Sequence, residues 1–479
     1  MRSAMTRIFL VVPGSRTFYG EPRYPVYGLS MIGAVLMKAG YTVSAMDLRF
    51  SQKGDEAFWA RLAEFQPHYV GFTVTNWDIL EAVRLAGRIK ALSPSVTVIF
   101  GGPQASLCPT ETLQYPEVDV VVRGEGELTI LELIKALEGG RSLTEVAGIA
   151  FRADGVPVLT APRPFMPDLS QLPWPAYELF DIPRYGARGD RRLGIASTRG
   201  CPYGCTFCTG RKVMGRLIRC RPPAEVVAEM KHWHQTHGIT HFCFVEDNLL
   251  GHPKHGEQLL RELEEARLPV TYSLEVGVRA DALTPDICAH LKKTGCTTIA
   301  VGIESVDPEV LKLVNKGEDL ATISRGIRAA KAAGLFVKGY FIVGLPGDTR
   351  EKVERAVAYA RREEIDLPRF ALAQAFPHTE LTSWVEKHGH FYADPYEYTL
   401  HHTDEFHGDV HYDLPGFSRE EIWQTYRWAH DEAEAIAFRQ ALLRRFGRKI
   451  GMMLNLLNNA FIRSLAIRLY QRKLISLPG

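Results

Sequence analysis

Twice along this chain, short β-rich runs alternate with stretches of helical period, and a proline-rich connector separates the two series. The first series predicts strands at 7–12, 41–46, 68–74, 96–100 and 118–122, with helices near 26–39, 56–64 and 78–91. The second predicts strands at 193–197, 241–245, 270–275, 297–301, 336–343 and 369–373, with helices at 223–235, 253–266, 285–293, 323–333 and 350–362. Alternation of this kind means βαβ units and parallel sheets, whose ligands bind at the carboxyl ends of the strands. The expected fold class is α/β. A Rossmann-like, doubly wound parallel sheet (1–146) is followed by a linker (147–190), a partial (β/α)6 TIM-type barrel (191–385) and a mostly helical, substrate-shaping region (386–479). Within the linker, Asp154-Gly155 marks a hairpin between 149–152 and 156–159, and the prolines around Leu172-Pro173-Trp174-Pro175 stiffen the connection.

Composition removes several classes of function. With 479 residues there is chain for about three domains. A formal net charge of +2 gives no reason to expect a nucleic-acid partner. Eight cysteines without an even framework of spacings argue against a disulfide scaffold and suit a reducing cytosol. The apolar run at 8–12 is too short for a signal-peptide core, and no apolar run approaches the roughly 18 residues of a spanning helix. A cytoplasmic location is expected.

The chemistry concentrates after the first strand of the second series, in Arg199-Gly200-Cys201-Pro202-Tyr203-Gly204-Cys205-Thr206-Phe207-Cys208. Three soft thiolates at C-x3-C-x2-C spacing converge on one iron–sulfur cluster or one zinc ion. Three protein ligands leave one metal position open to a substrate or cofactor. Zinc would need a fourth ligand, and no cysteine follows until Cys220 and no histidine until His232. A non-catalytic zinc and nucleotide-binding module therefore stands as the alternative, and it would be colourless.

The loop, with Phe207 before its last cysteine, resembles the cluster signature of radical S-adenosylmethionine (SAM) enzymes. The resemblance implies a partial barrel with a [4Fe–4S] cluster held by Cys201, Cys205 and Cys208. It also implies that SAM chelates the open iron and is cleaved to a 5′-deoxyadenosyl radical by one electron from an external donor such as flavodoxin or ferredoxin. Further candidates for SAM lie after successive strands, on the face where barrels place their chemistry. Glu246 and Asp247 resemble the turn that holds the SAM amino group. Glu275 and Arg279 are candidates for the ribose hydroxyls and the methionyl carboxylate, Arg because its fork binds carboxylates bidentately. Glu304 and Ser305 offer groups to hydroxyls, and Gly344 lets backbone lie against adenine. Cys243, Cys288 and Cys296, in apolar settings, read as packed thiols.

The first 140 or so residues resemble the cobalamin-binding domain found ahead of many radical SAM cores. The likeness rests on Tyr24-Pro25-Val26-Tyr27-Gly28-Leu29, Gly101-Gly102-Pro103 and Gly124-Glu125-Gly126-Glu127. It implies cobalamin at Thr73, Thr75, Gly101, Gly102, Gly124 and Glu125. The loop Pro13-Gly14-Ser15-Arg16-Thr17-Phe18 lacks the Asp-x-His-x-x-Gly that supplies an axial histidine elsewhere, so cobalt would have no histidine below it. A nicotinamide site is disfavoured, since no G-x-G-x-x-G follows the first strand.

The reaction this combination implies is cobalamin-dependent methylation of an unactivated carbon. The alternative in the same architecture is a radical cyclisation, ring rearrangement or carbon–carbon bond formation. His401, His402, His407 and His411 read as surface histidines of a substrate-shaping loop, with a metal site as the alternative. From Ala435 onward there are nine Arg or Lys and no acidic residue, with apolar side chains at helical spacing. A basic amphipathic segment at 449–479 can make peripheral contact with an anionic inner membrane surface, which would suit a lipid-like substrate, or can dock its apolar face on the core. Otherwise the substrate is a small molecule.

Overall fold

The computed structural model describes residues 6–14, 22–50, 56–186, 191–400 and 410–447. Its N-terminal sheet contains β1 (Arg7–Val12), β2 (Thr42–Asp47), β3 (Tyr69–Thr73), β4 (Thr97–Gly101), β5 (Val120–Val122), β6 (Ile149–Ala153) and β7 (Val156–Leu159). The order is β2-β1-β3-β4-β5-β6-β7, parallel through β5 and antiparallel beyond it. The hairpin expected in the connector thus extends this sheet.

An unbroken apolar run such as Ile8-Phe9-Leu10-Val11-Val12 suits a strand covered on both faces. Ile8, Leu10 and Val12 pack with Leu29, Leu36 and Leu133. Phe9 and Val11 point the other way, toward Phe58, Ile79 and Leu85. Strand order reverses between β1 and β3, and the crevice outside their carboxyl ends is where a doubly wound sheet binds ligands.

The second sheet holds β8 (Arg192–Ile195), β11 (His241–Phe244), β12 (Thr271–Val278), β13 (Cys296–Glu304), β14 (Phe336–Val343) and β15 (Leu367–Leu372), all parallel and in sequence order. Among the described residues β8 and β15 do not pair, so the barrel is partial. Between β8 and β11 lies a two-stranded ribbon, β9 (Thr198–Arg199) with β10 (Arg219–Cys220), which the sequence periodicity is too short to reveal.

The connector joins the two sheets by burying itself. The Tyr177 hydroxyl donates to Gly194 O at 2.7 Å from a fully buried ring. Ala176 N donates to Ser30 O at 3.0 Å. The helix Arg419–Phe446, opened by a Ser418/Glu421 capping box, packs along β15 and the helix Arg350–Arg362. Arg444 binds both oxygens of Asp366 at 2.7 and 2.8 Å there. His401, His402, His407, the loop 15–21 and the segment 449–479 lie outside the described residues. Among those described, no helix is long and apolar enough to cross a membrane.

Candidate functional site

The three cysteines sit on an excursion that leaves the barrel after β8 and returns through the β9–β10 ribbon. Gly200 takes a φ of 94°, and a Cβ there would fall 2.2 Å from Leu217 O, so only glycine admits the turn. Cys201 N donates to Gly215 O at 3.0 Å, closing the loop on itself. Three bonds of 3.0 Å tie it to the barrel: Thr206 N to Val314 O, Asn315 Nδ2 to Gly204 O, and Leu381 N to Thr206 O. Phe207 packs its ring against the barrel core. The backbone is thus held before any metal is considered.

All three thiols are free of disulfides. Burial raises the pKa of each, to about 11 for Cys208, whose sulfur accepts from Gly210 N at 3.3 Å. Lys316 and Arg279 oppose that shift at Cys201 and Cys205. A metal must therefore displace three protons, and nearby cations offset the thiolate charge that results. Three soft thiols on one loop, with no fourth protein ligand among the described contacts, suit a cluster that keeps one metal position open.

Around this loop the barrel's strand ends bring some of the predicted SAM residues together and employ others elsewhere. Glu246 lies inside, its Oε1 accepting from Ser197 N at 3.0 Å and Ser197 Oγ at 2.9 Å. Its Oε2 is buried without a partner, as is Asn248 Oδ1. Burial raises the Glu246 carboxyl to about 7, with the Ser197 bonds opposing. Asp247, also raised by burial, lies beside the cluster loop: a Cβ on Gly210 would stand 3.1 Å from Asp247 Oδ2 and 3.3 Å from Cys208 Sγ. Asp247 thus stands against the cluster loop, while Glu246 keeps a buried oxygen open at the end of the first barrel strand.

Arg279 has its fork occupied. It donates to Lys316 O at 2.7 Å, Gly317 O at 2.9 Å and Asp281 Oδ2 at 2.8 Å, and stacks 3.7 Å from the Tyr203 ring centroid. A buried guanidinium needs such partners, and here they make it a brace for the cysteine loop. Glu275 binds Lys338 at 2.7 Å and Arg23 at 3.3 Å. Glu304, in the left-handed region at φ 63°, pairs with Lys316 at 3.2 Å, while Ser305 Oγ accepts from Asp307 N. Gly344 has both backbone groups engaged: its N–H donates to Asp348 at 3.0 Å, and its carbonyl accepts from the Tyr412 hydroxyl at 2.9 Å. Ile422 lies over it.

On the facing domain, Gly102 has φ 97°, and a Cβ would stand 2.9 Å from Val74 N, Val74 O and Thr73 Oγ1. Val74 N donates to Gly101 O, and Thr75 N to Asp78. Gly124 N donates to Ser106 Oγ. A cleft of about 140 Å³ lies between the domains, lined by Thr75, Asn76, Trp77, Pro103, Gln104 and Leu107 on one side and by Thr209 and Phe376 on the other. Thr209 directly follows Cys208, so the first sheet's strand ends face the cluster loop. Gln104 Nε2 is buried there without a partner, a donor suited to a polar cofactor edge. A corrin needs more room than the 140 Å³ of this cleft. A larger concavity, about 650 Å³, is bounded by Arg261, Glu264, Glu265 and Arg267 on an outer helix, away from every strand end. Glu125, expected at cobalamin, instead binds Arg199, Arg219 and Met166 N.

Sequence reasoning missed Lys316, Glu318, Asn315, Trp77 and Gln104. Lys316-Gly317-Glu318-Asp319 reads as a solvated charged loop, and only the fold buries Lys316 between Glu304 and Glu318. Burial opposes the lysine's charge, but Glu304 and Glu318 outweigh it and hold its pKa above the ordinary value.

A three-cysteine loop on a partial barrel thus faces the ligand-binding end of a doubly wound sheet. Residues 195–360 match the radical SAM superfamily and residues 20–134 match the B12 binding domain. An uncharacterized methyltransferase of Pyrococcus horikoshii is 31% identical over 325 residues, 68% of this chain and 70% of that one. The chain belongs to the radical SAM superfamily, among the members with a B12-binding domain, and its cofactors are a [4Fe–4S] cluster, SAM and cobalamin. The cytidylyl-2-hydroxyethylphosphonate methyltransferase of Streptomyces wedmorensis is 27% identical over 82% of this chain and 83% of its own. The anaerobic magnesium-protoporphyrin IX monomethyl ester cyclase of Rubrivivax gelatinosus is 27% identical over 75% and 66%. The fold is that of the radical SAM methyltransferase TsrM of Kitasatospora setae, solved with cobalamin and a [4Fe–4S] cluster (TM-score 0.73, 21% identity, 92% of this chain and 96% of that one). OxsB, a cobalamin-dependent SAM radical enzyme, aligns with TM-score 0.69 at 16% identity over 97% and 72%.

Proposed function

We infer that this enzyme transfers a methyl group from SAM to an unactivated carbon of a small molecule. When bound, the three cofactors supply a methyl carrier and a radical that removes hydrogen from carbon. The observation that carries the reading is the meeting of the two strand-end faces, with Thr209 lining the same cleft as Thr75 and Gln104.

This chain's residues divide the remaining work. Cys201, Cys205 and Cys208 hold the cluster. Glu246 and Asp247 receive the SAM ammonium, the Oε2 of Glu246 gaining the partner it lacks. Glu304 and Ser305 face the ribose, Lys316 holds Glu304 in place, and Arg279 keeps Tyr203 and the cysteine loop packed. Gly344 lies near adenine through its backbone outline, since its polar groups are already engaged. Thr73, Thr75, Gly101, Gly102 and Gly124 shape the cobalamin face, with Gln104 donating to the cofactor's edge. Residues 1–146, with the 149–159 hairpin added to their sheet, form the cobalamin domain, 191–385 the radical SAM barrel and 386–479 the substrate-shaping region. An external one-electron donor such as flavodoxin or ferredoxin would supply the electron that the cluster needs.

The test is transfer of isotopically labelled methyl from SAM to product under anaerobic, reducing conditions. Formation of 5′-deoxyadenosine with no label in any product eliminates methylation. That outcome would favour a radical cyclisation or rearrangement, the reading supported by the cyclase among the relatives. A lipid-like substrate and membrane contact through 449–479 are tested by salt-sensitive liposome co-sedimentation, with and without that segment. Failure of the intact chain to bind ends that idea.

A further inference from the structure

The ribbon that closes the cysteine loop carries an electrostatic fault that the other domain repairs. Register places Arg199 directly opposite Arg219 in an antiparallel pair only two residues long. Like charges facing one another across strands destabilise the pairing, and so short a ribbon has little else to hold it. Both guanidinium groups are also buried, with side chains 8% exposed.

Their compensation comes from the Gly124-Glu125-Gly126-Glu127 turn at the end of β5. Glu125 Oε1 accepts from Arg219 Nη1 at 2.6 Å and from Arg199 Nη1 at 3.2 Å. Glu127 Oε1 accepts from Arg199 Nη2 at 2.6 Å. The other Glu125 oxygen accepts from Met166 N at 2.8 Å, and Arg219 donates to Met166 O at 3.1 Å and Met214 O at 2.7 Å. The connector is therefore threaded through the same knot, with the Phe165 ring beneath the Arg219 guanidinium. Two arginines meet two carboxylates, so the buried group is neutral as a whole and charged if any one member is lost. Arg199 lies two residues before Cys201, and Met214 and Gly215 are where the loop returns to it.

We propose that Glu125 and Glu127 are positioning residues for the iron–sulfur site: the first domain's turn neutralises the paired arginines at the base of the cysteine loop and so holds the cluster's protein cage shut. This rests on the cluster reading above and assigns the turn a task other than contact with cobalamin. The folded cysteine loop then depends on a domain that contributes no ligand to it. Loss of compensation opens the ribbon and exposes the cluster, leaving the cobalamin face intact.

The experiment uses the full chain, reconstituted anaerobically with iron, sulfide and cobalamin, and follows iron release to a ferrous chelator by absorbance, with no turnover required. The wild-type iron content checks the cluster reading independently. A wild-type chain that takes up no cluster defeats that reading before the variants are compared. Glu127→Gln is expected to lose iron at least tenfold faster than wild type, with cobalamin stoichiometry unchanged. Replacing both partners, Arg199→Met with Glu127→Met, restores neutrality and is expected to return the release rate to within about threefold of wild type, because removing a buried pair costs far less than orphaning one partner. Iron release unchanged in Glu127→Gln overturns the proposal. So does a paired variant that releases iron as fast as the single one, or a single variant that loses cobalamin while keeping iron. If Glu127→Gln does not fold, folding and iron retention by the paired variant carry the proposal, and failure of both overturns it.

Discussion

The carboxylates that end β11 and those that follow β5 look alike in sequence, Glu246-Asp247 against Glu125-Gly126-Glu127, and the fold puts them to opposite uses. Glu246 keeps one oxygen buried and unpartnered while the other accepts from Ser197. Glu125 and Glu127, equally buried, each hold at least one arginine. An orphaned buried acceptor costs stability unless a ligand arrives, whereas a satisfied one contributes to the architecture. The difference teaches where to look for binding: at polar groups left unfinished, more than at motif residues as such. Gln104 Nε2 and Asn248 Oδ1 belong with Glu246 by that criterion, and Arg279 and Gly344 belong with Glu125.

The largest effect should come from the thiolates. Cys205→Ala should reduce iron to near background and abolish 5′-deoxyadenosine, measured by iron assay and chromatography, with the first domain still binding cobalamin. Wild type should be brown and carry about four irons per chain. Gly102→Ala acts on the opposite face. A left-handed φ of 97° and contacts of 2.9 Å with Val74 backbone should cost the first domain about 2 kcal/mol or more and lower cobalamin stoichiometry. Iron content should hold as long as Glu125 and Glu127 keep their arginines, and a parallel loss of iron would show that the Gly102 turn and the Glu125–Glu127 turn move together.

A smaller effect is expected at Glu246. With its carboxyl raised to about 7, the ionised form that attracts an ammonium predominates only above that pH. SAM affinity should therefore fall as pH drops through 7, and Glu246→Gln should weaken binding about tenfold, about 1.4 kcal/mol, and flatten the profile. Equilibrium dialysis across pH tests both. Without SAM, stability should run the other way. Glu246, Asp78 and Asp348 all sit near 7 in the fold, against 4.5, 3.8 and 3.8 when unperturbed. At these three sites the folded chain holds protons that the unfolded chain has released, so their contribution to stability should decline as pH rises from about 4 to 7. Smallest is Tyr412→Phe. It removes hydrogen bonds to Gly344 O and Ala373 O and should cost about 1–2 kcal/mol in urea unfolding while leaving SAM cleavage intact.

Much of this architecture is legible in the chain, because periodicity and strand-end chemistry are local. Arg7–Val12 and Phe336–Val343 are strands at the bounds their apolar patterns predict, and the remaining strands of both series shift by a few residues. Cys243, Cys288 and Cys296 are buried as their surroundings predict. The β9–β10 ribbon was not legible, since two-residue strands have no period to detect. Nor was the attachment of β6 and β7 to the first sheet, because a hairpin signal specifies its own pairing and not the edge it joins.

Sequence by itself determined the cysteine spacing, the two α/β series and the glycines at their strand ends, since each follows from residue type and separation along the chain. Tertiary structure alone decided which charged groups are finished and which are open. That Glu125 meets Arg219 from 94 residues away, while Glu246 Oε2 meets nothing, depends on how two sheets are set against each other. Partnership between distant side chains is a matter of distance and burial, and neither is written in local pattern.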